Sequence, residues 1–264
     1  MELNISPYLT QSESLFRAIS NNTGRFYKEK EYDKMKFGRP QLDKKGHVRK
    51  REVFSPVYHL KLKQKLINIL LQAIKLPSSM YGGVANRNNV QNAKMHVNSR
   101  FFLTIDFKNY FTNISNDRVY QTLIGYGINN CEARVITRIS TVNCSLPQGA
   151  PTSTVLANLV FAATAVELEE ICAKKKIIFT NFVDDLTFSS KRDFESMVPQ
   201  ILELLKKNGF LVNQSKIHYR IGSCEITGLF VKNGKMYPEK NMLKNSHNQG
   251  VRNYLKLVER YNEL

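Results

Sequence analysis

Two adjacent acids, Asp184-Asp185, stand between Lys176-Ile177-Ile178-Phe179-Thr180 and Leu186-Thr187-Phe188-Ser189, both of which have the composition of β-strands. The spacing predicts a hairpin with both carboxylates at its bend. Carboxylates gathered at an apolar hairpin suffer desolvation and mutual repulsion unless a positive group lies between them, and a divalent cation is the simplest such group. A solvated turn is the alternative, since Asp is a common turn residue. A third acid, Asp106, sits near the C-terminal end of the β-forming run Arg100-Phe101-Phe102-Leu103-Thr104-Ile105-Asp106-Phe107. Strand tips beside loops often carry chemistry in α/β and α+β folds. Neighbouring strand residues face opposite ways, so Asp185 reaches a cation shared with Asp184 only through the bend; otherwise it supports the turn.

Groups suited to phosphate lie elsewhere. Val48–Pro56 alternates as a strand and puts Arg49 and Arg51 on one face, fit to grip phosphate oxygens or simply to line a solvated basic edge. Between Tyr27 and Arg39, aromatic and basic residues alternate, as in surfaces that stack bases and meet phosphates; packing in a small sheet explains the aromatics equally well. Leu146-Pro147-Gln148-Gly149-Ala150-Pro151-Thr152-Ser153 reads as a stiff loop around one glutamine, with Thr152 or Ser153 able to cap the next helix. Asn92 and His96 are four apart on a short helix, and nothing else in the chain completes a histidine metal site.

Charge sets the context. The 264 residues hold 39 Lys and Arg against 22 Asp and Glu, a net charge of +17. Residues 1–100 carry 19 basic and 7 acidic residues, and the remainder 20 and 15. A strongly basic first part joined to a nearly balanced remainder points to a polyanion partner, nucleic acid first among them. The four cysteines lack C-x-x-C spacing, which argues against a disulfide scaffold or structural zinc and fits a reducing cytoplasm. Met1-Glu2-Leu3-Asn4 lacks the pattern of a signal peptide, and the near-apolar run Val155–Val166 is too short to cross a bilayer.

The elements that must position these groups are legible as periodicities. Helices are expected at Ser12–Ile19, from Leu60 to Leu76, from Asn88 to Val97, from Arg118 to Ile124, and from Asn130 to Ile139. Ser78–Gly83 reads as a flexible connection. A helix from about Val155 to Lys174, apolar on every side until Glu167, is expected to be buried against a sheet. Strand, helices, buried helix, hairpin, helix and strand in that order predict an α+β fold with a split βαβ arrangement, in which Asp106 and Asp184 lie close. Such a pairing, with a basic portion to hold a backbone, favours phosphoryl transfer on nucleic acid. At the C-terminal end Val251, Tyr254, Leu255, Val258 and Tyr261 form an apolar stripe, with basic residues beside it suited to a duplex groove or with the helix simply packed on the body.

Taken together, these motifs resemble a reverse transcriptase of the bacterial retron class. Phe182-Val183-Asp184-Asp185 resembles the family's aromatic-x-Asp-Asp box, with Phe-Val where Tyr-Ala is usual. Asp106 with Phe111 five residues on is similar to the first catalytic acid and the aromatic that screens the sugar 2′ position. Leu146–Ser153 is similar to the loop whose glutamine lies near the incoming nucleotide. Asn92-Ala93-Lys94-Met95-His96 and Ile226-Thr227-Gly228 resemble two elements that mark the retron enzymes. Asn213-Gln214-Ser215-Lys216 resembles the segment bearing a lysine near the triphosphate, and Val48–Gln64 the fingers motif with its nucleotide-facing arginine, carried here to Arg51.

The resemblance implies a right-hand polymerase with fingers, a split βαβ palm and a short helical thumb. Its divisions would be 1–100 for the N-terminal part of the fingers, 101–232 for the palm with inserted fingers helices at about 115–150, and 233–264 for the thumb. It implies catalytic and metal-holding roles for Asp106, Asp184 and Asp185 with two Mg²⁺ ions, and substrate binding by Arg51, Phe107, Phe111, Gln148 and Lys216. Core packing is the alternative for Phe111, and plain surface charge for Lys216. The implied partners are a cognate structured noncoding RNA, the RNA–DNA hybrid made from it, deoxynucleoside triphosphates and an effector protein, with no membrane. The implied product is branched single-stranded DNA, made in antiphage defence.

Overall fold

The computed structural model describes residues 23–36, 39–43, 45–244 and 247–263. The helix expected at Ser12–Ile19 lies outside them. Along the chain run strands β1 (Tyr27–Asp33), β2 (Met35–Lys36), β3 (Arg39–Pro40) and β4 (Lys50–Pro56), then helices α1 (Tyr58–Leu71) and α2 (Asn89–Lys94) and strand β5 (Phe101–Asp106). Helices α3 (Asn116–Gly125), α4 (Asn130–Ser140) and α5 (Ser153–Lys174) lead to strands β6 (Ile178–Phe182) and β7 (Asp185–Ser190) and helix α6 (Val198–Lys207). Strands β8 (His218–Ile221), β9 (Ser223–Ile226), β10 (Leu229–Lys232) and β11 (Lys235–Pro238) precede helices α7 (Lys240–Lys244) and α8 (Gln249–Glu263). Two compact units emerge, one of residues up to 75 with 111–160 and one of 76–110 with 161 onward.

In the first unit β1 and β4 pair antiparallel, with Tyr32 opposite Arg51. Val48 lies outside β4, in a bridge with Leu42, so the ladder starts two residues later than the alternation predicts. Tyr27 is buried, whereas Tyr32 is exposed. Helix α1 turns Leu60, Gln64, Ile67 and Leu71 inward and leaves Leu62 and Ile69 exposed. Its inward row therefore contains a glutamine that apolar periodicity does not count. Gln64 Nε2 donates to the Tyr27 hydroxyl (2.5 Å) and to the Ile139 carbonyl (2.6 Å), to which Tyr27 also donates (2.8 Å). Those bonds satisfy polar groups that burial would otherwise penalise. The helix ends at Leu71, short of the expected Leu76. Ser115 and Asn129 cap α3 and α4, each accepting from the backbone N–H three residues on.

The second unit is built on a four-stranded sheet in the order β6-β7-β5-β8, every neighbouring pair antiparallel. Strands β5 and β6 run parallel with β7 between them, and β7 and β8 flank β5 in the same way: two interleaved split βαβ units. Strands β9, β10 and β11 form a separate antiparallel sheet. Helix α8 lays Val258, with Tyr254, Leu257 and Tyr261, on a core that includes Val90, Phe102, Leu229 and Met236. Each fully buried aliphatic side chain there contributes on the order of 1.5–3 kcal/mol. The C-terminal stripe is thus a packing face on this unit. Among the described residues no helix is long and apolar enough to cross a membrane, and all four cysteines are free.

Candidate active site

The apolar alternation of β5 and β7 settles their register, because a one-residue slip would turn Leu103, Ile105, Leu186 and Phe188 to the wrong face. In that register Asp106 pairs directly with Asp185, and Phe182 with Asp185 across the hairpin. Val183 and Asp184 are the two turn residues, so the hairpin lies where the strand compositions predict it. Beyond the ladder, the Phe107 N–H donates to the Asp184 carbonyl (3.2 Å) and the Asn213 N–H to the Asp106 carbonyl (2.9 Å). The end of β5 is thereby held between the acid turn and the 211–213 segment. A single 3₁₀ turn, Gln214–Lys216, follows that segment and brings the Lys216 ammonium to 2.6 Å from Asp106 Oδ1.

Electrostatics reflect this crowding. Desolvation by the surrounding protein, then the charges of Asp184 and Asp106, push Asp185 up to about 7, with Lys216 opposing the shift. Asp185 is nevertheless exposed to solvent. Among the described residues no group of three or more His, Cys, Asp and Glu side chains is gathered at ligating distance. The donor set itself suits a hard divalent cation: the charges of Asp184 and Asp106 disfavour ionisation of Asp185, and Asp106 is paired with an ammonium.

Val183 has φ +60°, the only positive value within the hairpin. A two-residue turn with positive φ at its first central position alone matches the II′ pattern, where glycine is usual. A β-branched residue in that region is an outlier, and strain of this kind costs on the order of 1–3 kcal/mol.

The remaining expected residues fall as follows. Arg51 is exposed on β4 in the first unit, whereas Arg49 lies outside the strand. Gln148 is half-buried in the same unit, and its carbonyl accepts from the Phe54 N–H (2.8 Å). Gly149 has φ +101° and packs so close to Val53 that a Cβ there would lie 2.6 Å from Val53 Cγ1. The Gln148 loop and the Arg51 strand are therefore built together. Ser153 donates to the Pro147 carbonyl (2.6 Å), closing that loop on itself. Phe111 is half-buried in the first unit. Phe107 points inward at 4% exposure, stacked on Tyr110 and in contact with Phe161 and Phe210; its ring is a packing group, because the next residue after the strand-end acid must face the opposite way.

His96 is fully buried, hydrogen-bonded through Nδ1 to Ser189 Oγ (2.6 Å) and through Nε2 to Thr180 Oγ1 (2.8 Å). Burial pushes its pKa down to about 3. Asn92 Nδ2 reaches Thr227 Oγ1 at 3.4 Å, and Asn89 Nδ2 donates to the Thr227 carbonyl (3.0 Å). The two short elements that the sequence singles out, Asn92–His96 and Ile226–Gly228, thus touch each other. The sequence reads Ser78–Gly83 as a flexible connection, but the segment is tied to β6 by an isolated parallel bridge between Met80 and Asn181. The Gly82-Gly83 pair was the available signal, since a glycine can mark a close approach of two backbones as well as flexibility.

A family model described as reverse transcriptase (RNA-dependent DNA polymerase) matches residues 43–236. The retron Ec86 reverse transcriptase of Escherichia coli is 28% identical over 208 residues, 74% of this chain and 63% of that protein. The retron Se72 reverse transcriptase of Salmonella heidelberg is 27% identical over 202 residues, 70% and 52% of the two chains. The chain thus spans between half and two thirds of these relatives. Among solved structures, telomerase from Candida albicans in complex with a fragment of telomeric RNA superposes with a TM-score of 0.54 at 12% identity, covering 86% of this chain and 49% of that one. Apo telomerase from Candida tropicalis gives 0.54 at 12%, with 84% and 50% covered. At such identity the likeness is one of fold.

Proposed function

This chain belongs to the reverse transcriptase family, and from that premise we propose that it is a retron-type RNA-directed DNA polymerase. It copies part of a cognate structured noncoding RNA into branched single-stranded DNA. The observation that carries the reading is the register that sets Asp106 against Asp185, with Asp184 in the adjoining turn. The retron relatives and the basic first hundred residues support an RNA template.

In this reading Asp106, Asp184 and Asp185 would hold two Mg²⁺ ions, which supply charge neutralisation at the reacting phosphate and acidify the primer hydroxyl. The hydroxyl oxygen bonds to the α-phosphorus, the bond to pyrophosphate breaks, and the hydroxyl proton leaves to solvent. Lys216, paired with Asp106 and half-exposed, neutralises or protonates the departing pyrophosphate. Arg51 holds triphosphate oxygens, while Gln148 meets the nucleotide from the loop packed on the same strand. Phe111 fills the space of a ribose 2′-hydroxyl and so selects deoxynucleotides by collision. Phe107 contributes from behind, fixing the strand end that carries Asp106. In this reading 1–100 is the N-terminal part of the fingers, 101–232 the palm with inserted fingers helices at about 115–150, and 233–264 a short thumb, and the enzyme works in the cytoplasm beside an effector protein in antiphage defence.

The test is to purify the protein with the RNA that accompanies it, add deoxynucleotides and Mg²⁺, treat with ribonuclease and sequence the product. A discrete DNA with a ribonucleotide stub at its 5′ end is expected. Long repetitive DNA would keep the polymerase and discard the retron assignment, and RNA without any DNA would reduce the protein to a binder.

A further inference from the structure

The strained turn at the acids does not stand alone. Asn181, at 0% exposure, donates from Nδ2 to the Val183 carbonyl (2.8 Å). Its own backbone is held on both sides, with its N–H on the Ser79 carbonyl (2.8 Å) and its carbonyl accepting from the Tyr81 N–H (2.7 Å). That segment ends at Gly82, which is buried against the turn. A Cβ on Gly82 would stand 2.5 Å from the Val183 nitrogen, 2.6 Å from Val183 Cγ2 and 2.7 Å from the Phe182 carbonyl carbon.

The segment is in turn anchored at two charged side chains. The Arg87 guanidinium donates to the carbonyls of Pro77, Ser78 and Met80 and lies over the Tyr81 ring, 5.2 Å from its centroid. The Glu169 carboxylate accepts from the Ser79 N–H (2.8 Å) and the Ser78 hydroxyl (3.1 Å). A backbone so tied is a wall, and only a glycine lets it approach the turn this closely.

We propose that Gly82 and Asn181 are positioning residues of the polymerase: together they clamp Val183 in its left-handed conformation and so set the placement of Asp184 and Asp185. The proposal rests on the catalytic reading of those acids. Asn181 restrains the turn from the strand side through the Val183 carbonyl, and Gly82 from the facing segment through the Val183 nitrogen and side chain. With glycine in place of Val183, the positive φ needs no clamp.

The experiment measures single-nucleotide incorporation by the full chain with its copurified RNA, for Gly82→Ala and Asn181→Ala, each alone and combined with Val183→Gly. In the parent background, with Val183 in place, each single variant is expected to lower kcat about tenfold, with KM for the nucleotide within about twofold, as for a loss of orientation at the reacting groups. In the Val183→Gly background the Asn181→Ala loss should shrink to less than about threefold. Equal losses in both backgrounds, or kcat within about twofold of the parent for Asn181→Ala, overturn the clamp. Should Gly82→Ala fail to fold, the Asn181→Ala pair decides alone. Asp184→Asn runs beside them: synthesis at the parent rate there sinks the catalytic reading and the clamp with it. A dead Asp184→Asn with unaffected Asn181→Ala sinks the clamp only.

Discussion

Two hairpin turns of the second unit solve the same backbone problem with different means. Thr227-Gly228, between β9 and β10, has positive φ at both residues (+47° and +86°), as a type I′ turn requires. Val183-Asp184, between β6 and β7, has it at the valine alone. Each therefore places a β-branched residue where glycine or asparagine is easier. At 227 the strain is offset by Asn89 and Asn92, and the glycine that follows looks into open space, so it is there for its φ. At 183 the next residue is an acid, and the nearest glycine is Gly82 on another segment, there for the space it leaves. A third hairpin, Asn233-Gly234, uses the two residues best suited to a I′ turn. Where chemistry decides which residue occupies a turn, neighbouring segments have to supply the conformation.

The sharpest way to break this comparison is at the acids. Asp184→Asn should lower DNA synthesis by roughly a thousandfold or more, the scale of losing a preorganised charge-stabilising group, while copurified RNA remains bound. Extension assays on the purified complex check it.

His96 follows helix α2, which contacts Thr227, and hydrogen-bonds to both strands of the acid hairpin. Its folded pKa lies below the ordinary 6.5, so the native protein excludes a proton that the unfolded chain binds. The stability it contributes is complete above pH 6.5 and is lost as pH falls toward about 3, by a few kcal/mol in all. Urea unfolding should show the stability gap between parent and His96→Gln narrowing from pH 8 to pH 5. A gap independent of pH would remove the buried neutral imidazole from the account.

Gly228→Ala tests the opposite turn. With φ at +86° and no neighbour to meet, the change should destabilise by about 1 kcal/mol through backbone conformation and leave kcat per folded molecule unaltered. A catalytic loss there would erase the distinction between the two turns.

At Asp185 the carboxylate is exposed, so solvent screening reduces the stability effect of its shifted pKa. Its folded pKa is raised to about 7, so the native state keeps a proton that the unfolded chain releases above 3.8. The favourable contribution is present below pH 4 and disappears as pH rises through 7. Asp185→Asn should therefore raise the melting temperature at pH 8 and give almost no gain near pH 4, a difference that thermal scans at the two pH values resolve.

Much of this is readable before any tertiary contact. The strands around Asp106 and Asp184, the acid hairpin and the buried helix α5 follow from alternation and apolar content, which are local properties. Helix α1 is expected from sequence and is present but stops at Leu71 rather than Leu76, and the burial of Gln64 on its inner face depends on Tyr27 and Ile139 far away in the chain. The Asn233-Gly234 hairpin escapes notice although its signal is local, hidden inside a tail that reads as helical. Phe107 enters as a substrate contact through the family resemblance, and alternation at the strand end turns its ring into the aromatic cluster.

By itself the sequence determined which residues could do chemistry and the order of strands and helices that carry them, and its basic first hundred residues set the expectation of a polyanion partner. Those follow from side-chain type, period and charge, which need no partner. Only the tertiary structure decided that Asp106 faces Asp185, that Lys216 closes on Asp106, and that a glycine about a hundred residues upstream abuts the strained valine of the turn. Each of these depends on which strands lie side by side, and that is a property of the packed chain as a whole.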